Sequence, residues 1–522
     1  MEPNSFSSLA EKLISVFEKK QYEEKNDTVT VNALISKVAS FYEKFRTSMD
    51  YGSEETIPRR AIERMLKRML ILEQDPKHLA QSLIRELIWA GYFPNATIPQ
   101  SLTEHLAGAI ELHFKLKNSV SAQKIISNDD LNTFIMQILS CEILYILIPN
   151  REKDAVANFM FKILRESVIM EDETEETKDI QVFLAIRKSF SKDDLAFLRY
   201  KLFVQIFGRL NSSSFNQIEQ NFEKGYSEIK YQLQFPKKER IVSHIKKITP
   251  PFLILYEILL EERENIKLLV LDKEKFRMKV FGVCERKYQT IKRKVRTAII
   301  RSFIFILFTK AITALAIEGT FESIFLGRIQ WSSITLNTVL PPIIMAVAGL
   351  AIRTPGVKNT EFIYAGIQKI LFMETPVITK TLVLKKTKEA ATLKDYMFSI
   401  FWLLTIVLTF GIIWFLLGEL HFNILSKGIF IFFIAIISFL SYRINQTANS
   451  YTVARKQNIF TPIFDFFFVP IIRVGRSLTE GITQINFLLI TIDFIIEAPF
   501  KGLIGFFEQW FVYVATKREE LE

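Results

Sequence analysis

The stretch "RKYQTIKRKVRTAIIRSFIFILFTKAITALAI", residues 286 to 317, changes character after Arg296. Its first part holds Arg286, Lys287, Lys292, Arg293, Lys294 and Arg296, whereas its second part is apolar and carries charge only at Arg301 and Lys310. Lys and Arg clustered beside a membrane span stay on the cytosolic side, where they resist translocation and meet anionic lipid. This junction divides the chain. The expected fold is mainly α, with a large all-α cytosolic N-terminal domain, residues 1–285, followed by a polytopic α-helical membrane domain. Between them, residues 286–296 form a basic juxtamembrane segment. Its six cations are candidate contacts for anionic headgroups, each worth on the order of 1 kcal/mol near such a surface; the plainer reading is a topology signal.

Toward the C-terminus, residues 297–352 predict two spans, one near 298–317 and one at 332–352, where Pro341 and Pro342 should kink or interrupt the helix. Residues 353–396 form an insert with Arg353, Lys358, Lys369, Lys380, Lys385, Lys386, Lys388 and Lys394, whereas the loop at 318–331 has Arg328 alone. That asymmetry puts the insert in the cytosol. Within it, "NTEFIYAGIQKILF" has helical spacing and "PVITKTLVLKK" alternates like a strand. The insert either docks on the N-terminal domain or lies against the membrane. A membrane hairpin follows at 397–442, its spans at 397–417 and 424–442 joined by "GELHFN".

The last region, 443–522, predicts two interfacial or re-entrant amphipathic elements. Residues 459–472, "IFTPIFDFFFVPII", lie between Arg455 and Lys456 on one side and Arg473 and Arg476 on the other. A hydrocarbon core needs about 20 residues, so this shorter run reads as in-plane or re-entrant, with Pro462 and Pro470 as its boundaries. Further on, Asn486, Asp493, Glu497, Lys501 and Glu508 recur on one helical side, opposite an apolar stripe that includes Phe507, Trp510 and Phe511, which suits the headgroup plane. The count is about four spans, with six as the alternative. Both leave the N- and C-termini in the cytoplasm of a multi-pass cell-membrane protein.

Lys310 falls near the middle of its span. A central lysine costs roughly 2.5–3.5 kcal/mol on insertion scales, so it needs a partner, water or a short tilted span that lets it reach the far interface. Glu318, two turns on, is one candidate partner. Asp465 and Asp493 are others, and Asp493, which shares a helical side with Glu497, is the best placed if its helix crosses. Lys310, Asp465, Asp493 and Glu497 are therefore the candidate intramembrane or interfacial polar residues.

Toward the N-terminus the pattern is helical. In "PRRAIERMLKRMLILEQD" the apolar positions Ile62, Met65, Leu66, Met69 and Leu70 make one stripe, and the intervening charges read as a solvated face. "HLAQSLIRELIWAGYFP" repeats the pattern and stops at Gly91 and Pro94. Further helices are predicted at 101–118, 129–147, 152–169, 179–189, 192–208, 215–233 and 250–271. The acidic run "EDETEETKD", 171–179, reads as an exposed loop, since it lacks the glycine turn and ligand spacing of a calcium loop. His105 and His113, eight positions apart, cannot share a metal through one helix and read as ordinary surface or core-edge residues. The N-terminal residues offer no signal-peptide core before Lys19 and Lys20. Cys141 and Cys284 imply neither disulfide nor zinc, and reducing surroundings are the simpler reading.

No GxxxxGK[ST], HExxH, GxSxG or CxxC is present, so no catalytic, cofactor-binding or metal residue is assigned and no cofactor is expected. The net charge of +11 sits largely beside membrane segments. Aromatic residues are not interleaved with basic ones on a platform, which argues against nucleic-acid binding. The expected function is a membrane-anchored scaffold: a helical domain binding an unidentified cytosolic protein partner, a C-terminal part held in a bilayer with anionic headgroups, and self-association left open. The alternative is a channel or transporter using the intramembrane ionisable residues. An enzyme has no nucleophile or metal set to support it.

Overall fold

The structure, a computed structural model, describes residues 6–18, 27–48, 54–71, 73–124, 126–325, 327, 329–376, 381–385, 393–453 and 461–483, with short pieces between 502 and 518. It is mainly helical and divides into two compact units. The first comprises Met1–Phe252, Leu371–Lys385 and Ile490–Glu522; the second comprises Leu253–Ile370 and Lys386–Leu489.

The first unit holds α1 (Ser8–Glu18), α2 (Ala33–Ser48), α3 (Ile57–Met69), α4 (Pro76–Trp89), α5 (Ser101–Ala122), α6 (Asn128–Leu147), α7 (Arg151–Leu164), α8 (Glu175–Ile186), α9 (Leu195–Phe207) and α10 (Phe215–Gln234). Helix α11 (Lys238–Glu261) begins in this unit and ends in the next. The stripe Ile62, Met65 and Leu66 packs into one core with Leu83 and Leu87 of α4, Ile110 of α5 and Leu139 of α6. A second core takes Leu116 of α5, Phe134 and Ile138 of α6, Phe203 of α9 and Phe222 of α10. Burial of each such side chain stabilises by about 1.5–3 kcal/mol. Because α6 serves both cores, it is apolar on more than one face, as a helix buried on all sides must be.

Several local expectations are corrected. The charges of α3 do not form a solvated face: Arg59 is buried and its Nη2 donates to Asp194 at 2.9 Å, Arg64 donates to Glu43 at 2.5 Å, and Arg68 pairs with Glu86. Their partners come from distant segments, so helical periodicity could not reveal them. The acidic run is not all loop either. Thr174 caps α8 by accepting from the Thr177 N–H at 3.1 Å. Glu175 and Glu176 thus occupy the first helical turn, where negative charge is favoured by the helix dipole. His105 is exposed, whereas His113 is buried with Nδ1 2.8 Å from the Ala109 carbonyl. The helix expected at 250–271 instead starts at Lys238 and runs through Pro250 and Pro251. The buried series Ile241, Ile245, Ile248, Phe252, Leu255 and Leu259 offsets the helix-interior proline cost of about 3 kcal/mol each.

The helix expected at 152–169 ends at Leu164 and gives way to a short strand, β1 (Val168–Met170). It pairs in parallel with β2 (Leu382–Leu384), in the register Val168 to Leu382 and Met170 to Leu384. Of the strand pattern expected over 376–386, Leu382–Leu384 forms a strand, while residues 377–380 and 386 lie outside the described residues. Residues flanking it bind the same unit: the Ser7 N–H donates to the Leu371 carbonyl at 2.8 Å, Ser8 bonds Glu374 through N and Oγ, and the rings of Phe6 and Phe372 stack at 5.7 Å. Of the two dispositions open to the insert, Leu371–Lys385 adopts docking on the N-terminal helices.

The second unit contains α12 (Ile266–Leu271), α13 (Lys273–Thr313), α14 (Thr320–Phe325), α15 (Trp331–Ala351), α16 (Val357–Phe372) as far as Ile370, α17 (Leu393–Glu419), α18 (Ile424–Ala448) and α19 (Thr461–Thr483). Helix α13 carries the basic segment directly into the apolar run and continues through a π-helical turn, Ala314–Gly319, into α14. Helix α15 runs through Pro341 and Pro342 without interruption. Each proline forfeits its N–H donor and crowds the carbonyl four residues back, and both rings are buried, so packing holds the helix together across them.

Pro470 does not bound the element expected at 459–472. It lies inside α19, which extends to Thr483. Pro462 is in the first turn, where its missing N–H costs nothing. The extension follows from packing: Gly475, fourteen residues after Thr461, lies against the carbonyl of Ala435, which stands thirteen residues before the end of α18 at Ala448. That is the spacing of a helix returning alongside its predecessor.

Among the described residues, five helical stretches are long and apolar enough to cross a membrane: Asn128–Leu147, Lys273–Phe325, Trp331–Ala351, Tyr396–Glu419 and Ile424–Ala448. They are not alike. Half of the most apolar window of Asn128–Leu147 is buried, against 17 % for Tyr396–Glu419. On α17, Phe398, Phe401, Leu404, Val407 and Leu408 are all exposed. The apolar side chains of α6 are covered by protein, whereas many of those of α17 face outward.

Candidate functional site

The strongest concentration of buried charge in the second unit forms around the residue singled out for its cost, Lys310. Lys310 and Glu318 are each 0 % exposed, and Lys310 Nζ donates to Glu318 Oε1 at 2.6 Å. They are eight positions apart, which on an uninterrupted α-helix means about 80° around the axis. The wider π turn at Ala314–Gly319 takes up part of that offset and brings the carboxylate toward the lysine's side. Phe433 of α18 sits beneath the ammonium, 5.2 Å from Nζ to the ring centroid.

Two further helices complete the carboxylate's bonds. Asn337 of α15 donates through Nδ2 to Glu318 Oε2 at 2.5 Å, and Ser426 Oγ of α18 donates to the same oxygen at 2.9 Å. A second acid adjoins. Glu322 of α14, also fully buried, accepts from the Gln330 N–H and from Asn423 Nδ2, each at 2.7 Å. Asn423 in turn caps α18 by accepting from the Ser426 N–H at 2.7 Å. Two buried atoms on α15, Asn337 Oδ1 and Ser333 Oγ, have no partner among the described residues.

Ser426 and Asn423 lie at the very start of α18, beside the turn that follows α17, and Gln330 precedes α15. The cluster therefore ties the turn between α14 and α15 to the turn between α17 and α18. Lys310 is drawn toward that end rather than held alone at mid-length. Chemically, the arrangement is a buried ion pair whose carboxylate has two polar residues as orienting donors.

The remaining candidates are dispersed. Arg286 and Lys287 are engaged by α11: Arg286 Nη2 lies 2.6 Å from Glu261 Oε1, and Lys287 Nζ lies 2.5 Å from Glu257 Oε1. Lys292, Arg293, Lys294 and Arg296 are exposed along the middle of α13. Asp465 lies on α19, with its side chain outside the described residues, as are Asp493 and Glu497 entirely. Asn337, Ser426, Glu322 and Asn423 were not singled out from the sequence. The available signal was weak: Asn337 stands among Ser332, Ser333, Thr335 and Thr338, and Ser426 beside Lys427, with nothing to show that they face one carboxylate.

No family model, curated protein or solved structure matches the chain.

Proposed function

We propose that the chain is a multi-pass membrane protein that works as a scaffold, its N-terminal helical unit and docked insert facing the cytosol to bind a protein partner while the C-terminal bundle anchors them. The observation that carries this reading over conduction is the sealing of Lys310 and Glu318: each is bonded to the other and neither touches solvent. Intramembrane charges that guide ions or protons line water or exchange partners. Here the carboxylate is also occupied by Asn337 and Ser426, which supports a clamp joining helical hairpins.

The proposed topology draws support from the β1–β2 pair. Two strands sharing a ladder lie on one side of a bilayer, so the chain between them crosses an even number of times. Lys273–Phe325 and Trp331–Ala351 supply two crossings, and Tyr396–Glu419 and Ile424–Ala448 supply two more. Helix α6 is excluded from this set because both cores of the first unit need its side chains. The exposed basic run of α13 favours the cytosol for the N-terminal side.

Single cysteines placed at 325, 421 and 478 test the topology. Positions 325 and 421 should label only from outside. Labelling of 325 from the inside contradicts the arrangement, and the side on which 478 reacts decides whether α19 crosses.

The function is tested by reconstitution. Full-length protein in liposomes should pass no ions, and solubilised protein should retain a partner on pull-down. Ion flux abolished by Lys310→Ala would overturn the scaffold reading. One observation favours the conduction alternative: Asn337, which bonds the ion pair's carboxylate, has its Oδ1 without a partner among the described residues, a group that a water could bond.

A further inference from the structure

A cavity of about 210 Å³ opens in the first unit, where the end of α6, the start of α7 and the π-helical turn Arg187–Ser191 converge. Its acids are already engaged. Asp154 Oδ1 accepts from Arg187 Nη1 at 2.5 Å and Asp154 Oδ2 from Lys201 Nζ at 2.9 Å, Asp193 Oδ2 accepts from Arg187 Nε at 2.7 Å, and Glu55 lies 2.5 Å from Lys153 Nζ. A cation entering would find these carboxylates taken.

Three features favour an anion instead. Ser191 lines the cavity, is 1 % exposed, and its Oγ has no hydrogen-bond partner among the described residues. An unmade bond of this kind costs about 1–3 kcal/mol, so it calls for an explanation, and a ligand oxygen supplies one. Next to it, Lys192 holds a left-handed backbone at φ 60°. Burial first, and then the positive charges of Lys246 and Lys153, push its ammonium's pKa down against the opposing Glu55. An anion in the cavity would relieve that crowding. The start of the fourteen-residue α7 also faces this space through Asn150 and Lys153, and the Asn150 side chain makes no capping bond, leaving first-turn N–H groups to an outside acceptor.

We propose that this cavity binds the phosphate group of a phosphate monoester, with Ser191 Oγ donating to it and Lys192 and Lys153 supplying charge. The apolar wall formed by Leu144, Ile148 and Phe197 would take the organic part. The monoester is either a soluble phosphorylated metabolite or a phosphatidate headgroup.

The test is calorimetric titration of inorganic phosphate into the full-length chain in nanodiscs of zwitterionic lipid. Saturable binding at concentrations up to about 10 mM is expected. It should be about tenfold weaker in Lys192→Gln and about fivefold weaker in Ser191→Ala. Ser191→Ala removes only an unpartnered hydroxyl, so its thermal midpoint without phosphate should match wild type and loss of binding cannot be ascribed to unfolding. Lys162→Gln, at an exposed position on α7, should bind as wild type. Nanodiscs containing phosphatidate separate the sources: phosphate binding suppressed there assigns the site to a lipid headgroup, and binding unchanged there assigns it to a soluble ligand. Absence of saturable binding, or equal binding by wild type, Ser191→Ala and Lys192→Gln, overturns the proposal.

Discussion

Replacing Glu318 with alanine is expected to destabilise the second unit by about 3–5 kcal/mol, the cost of stranding a buried charge whose partner has been removed. Lys310 is fully buried, and its one carboxylate lies at 2.6 Å. Without it, the Phe433 ring is what remains beside the ammonium among the described residues, and the charge is left without a carboxylate or must draw water inward. Asn337 and Ser426 lose their acceptor in the same step. The double variant Lys310→Met with Glu318→Gln should recover most of the loss, because it removes the charge and keeps an oxygen for Asn337 and Ser426. Thermal unfolding of detergent-solubilised protein measures both. An unchanged midpoint in Glu318→Ala, or no recovery in the double variant, would show that the pair does not clamp the helices.

The second large effect is expected at Gly475. A β-carbon built there would lie 1.9 Å from the Ala435 carbonyl oxygen and 2.6 Å from its carbon, with Phe439 Cβ at 3.0 Å. The obstructing atoms are backbone, so no rotamer change clears them. Gly475→Ala should cost at least about 1–3 kcal/mol, and Gly475→Leu should separate α19 from α18. Limited proteolysis between 449 and 460 reads the separation directly. Gly428→Ala is the matched control, since nothing lies within 4 Å of a β-carbon there and Gly-to-Ala in a helix interior is stabilising by roughly 0.5–1 kcal/mol. Equal proteolytic sensitivity in Gly475→Leu and Gly428→Ala would sink the inference that α19 rests on α18.

The contrast between Lys310 and Arg59 shows how far the sequence reads. Lys310 stood out because it interrupts an apolar run, and charge in such a run demands compensation whatever the fold. Arg59 did not, because a charge every few positions on an amphipathic helix has the pattern of a solvated face whether or not a neighbour later covers it. Its burial against Asp194 depends on α3 and the start of α9 meeting across 135 positions. Helix α6 presents the same ambiguity in apolar form: by length and hydropathy it passes for a span, and only the two cores around it explain its composition.

What the sequence by itself determined is whatever local chemistry dictates: helical periodicity, the basic run ahead of the apolar one, the tight turn between α17 and α18, the strand alternation at Leu382–Leu384, and the need of Lys310 for a partner. The tertiary structure decided which groups meet. It joined β2 to β1 across 214 positions in register, selected Glu318 through a π turn, gathered Asn337 and Ser426 onto it, and carried α19 through Pro470 by packing Gly475 on Ala435. The physical reason is that periodicity and hydropathy report on one element at a time, whereas pairing energies arise between elements whose separation along the chain carries no information about their distance in space.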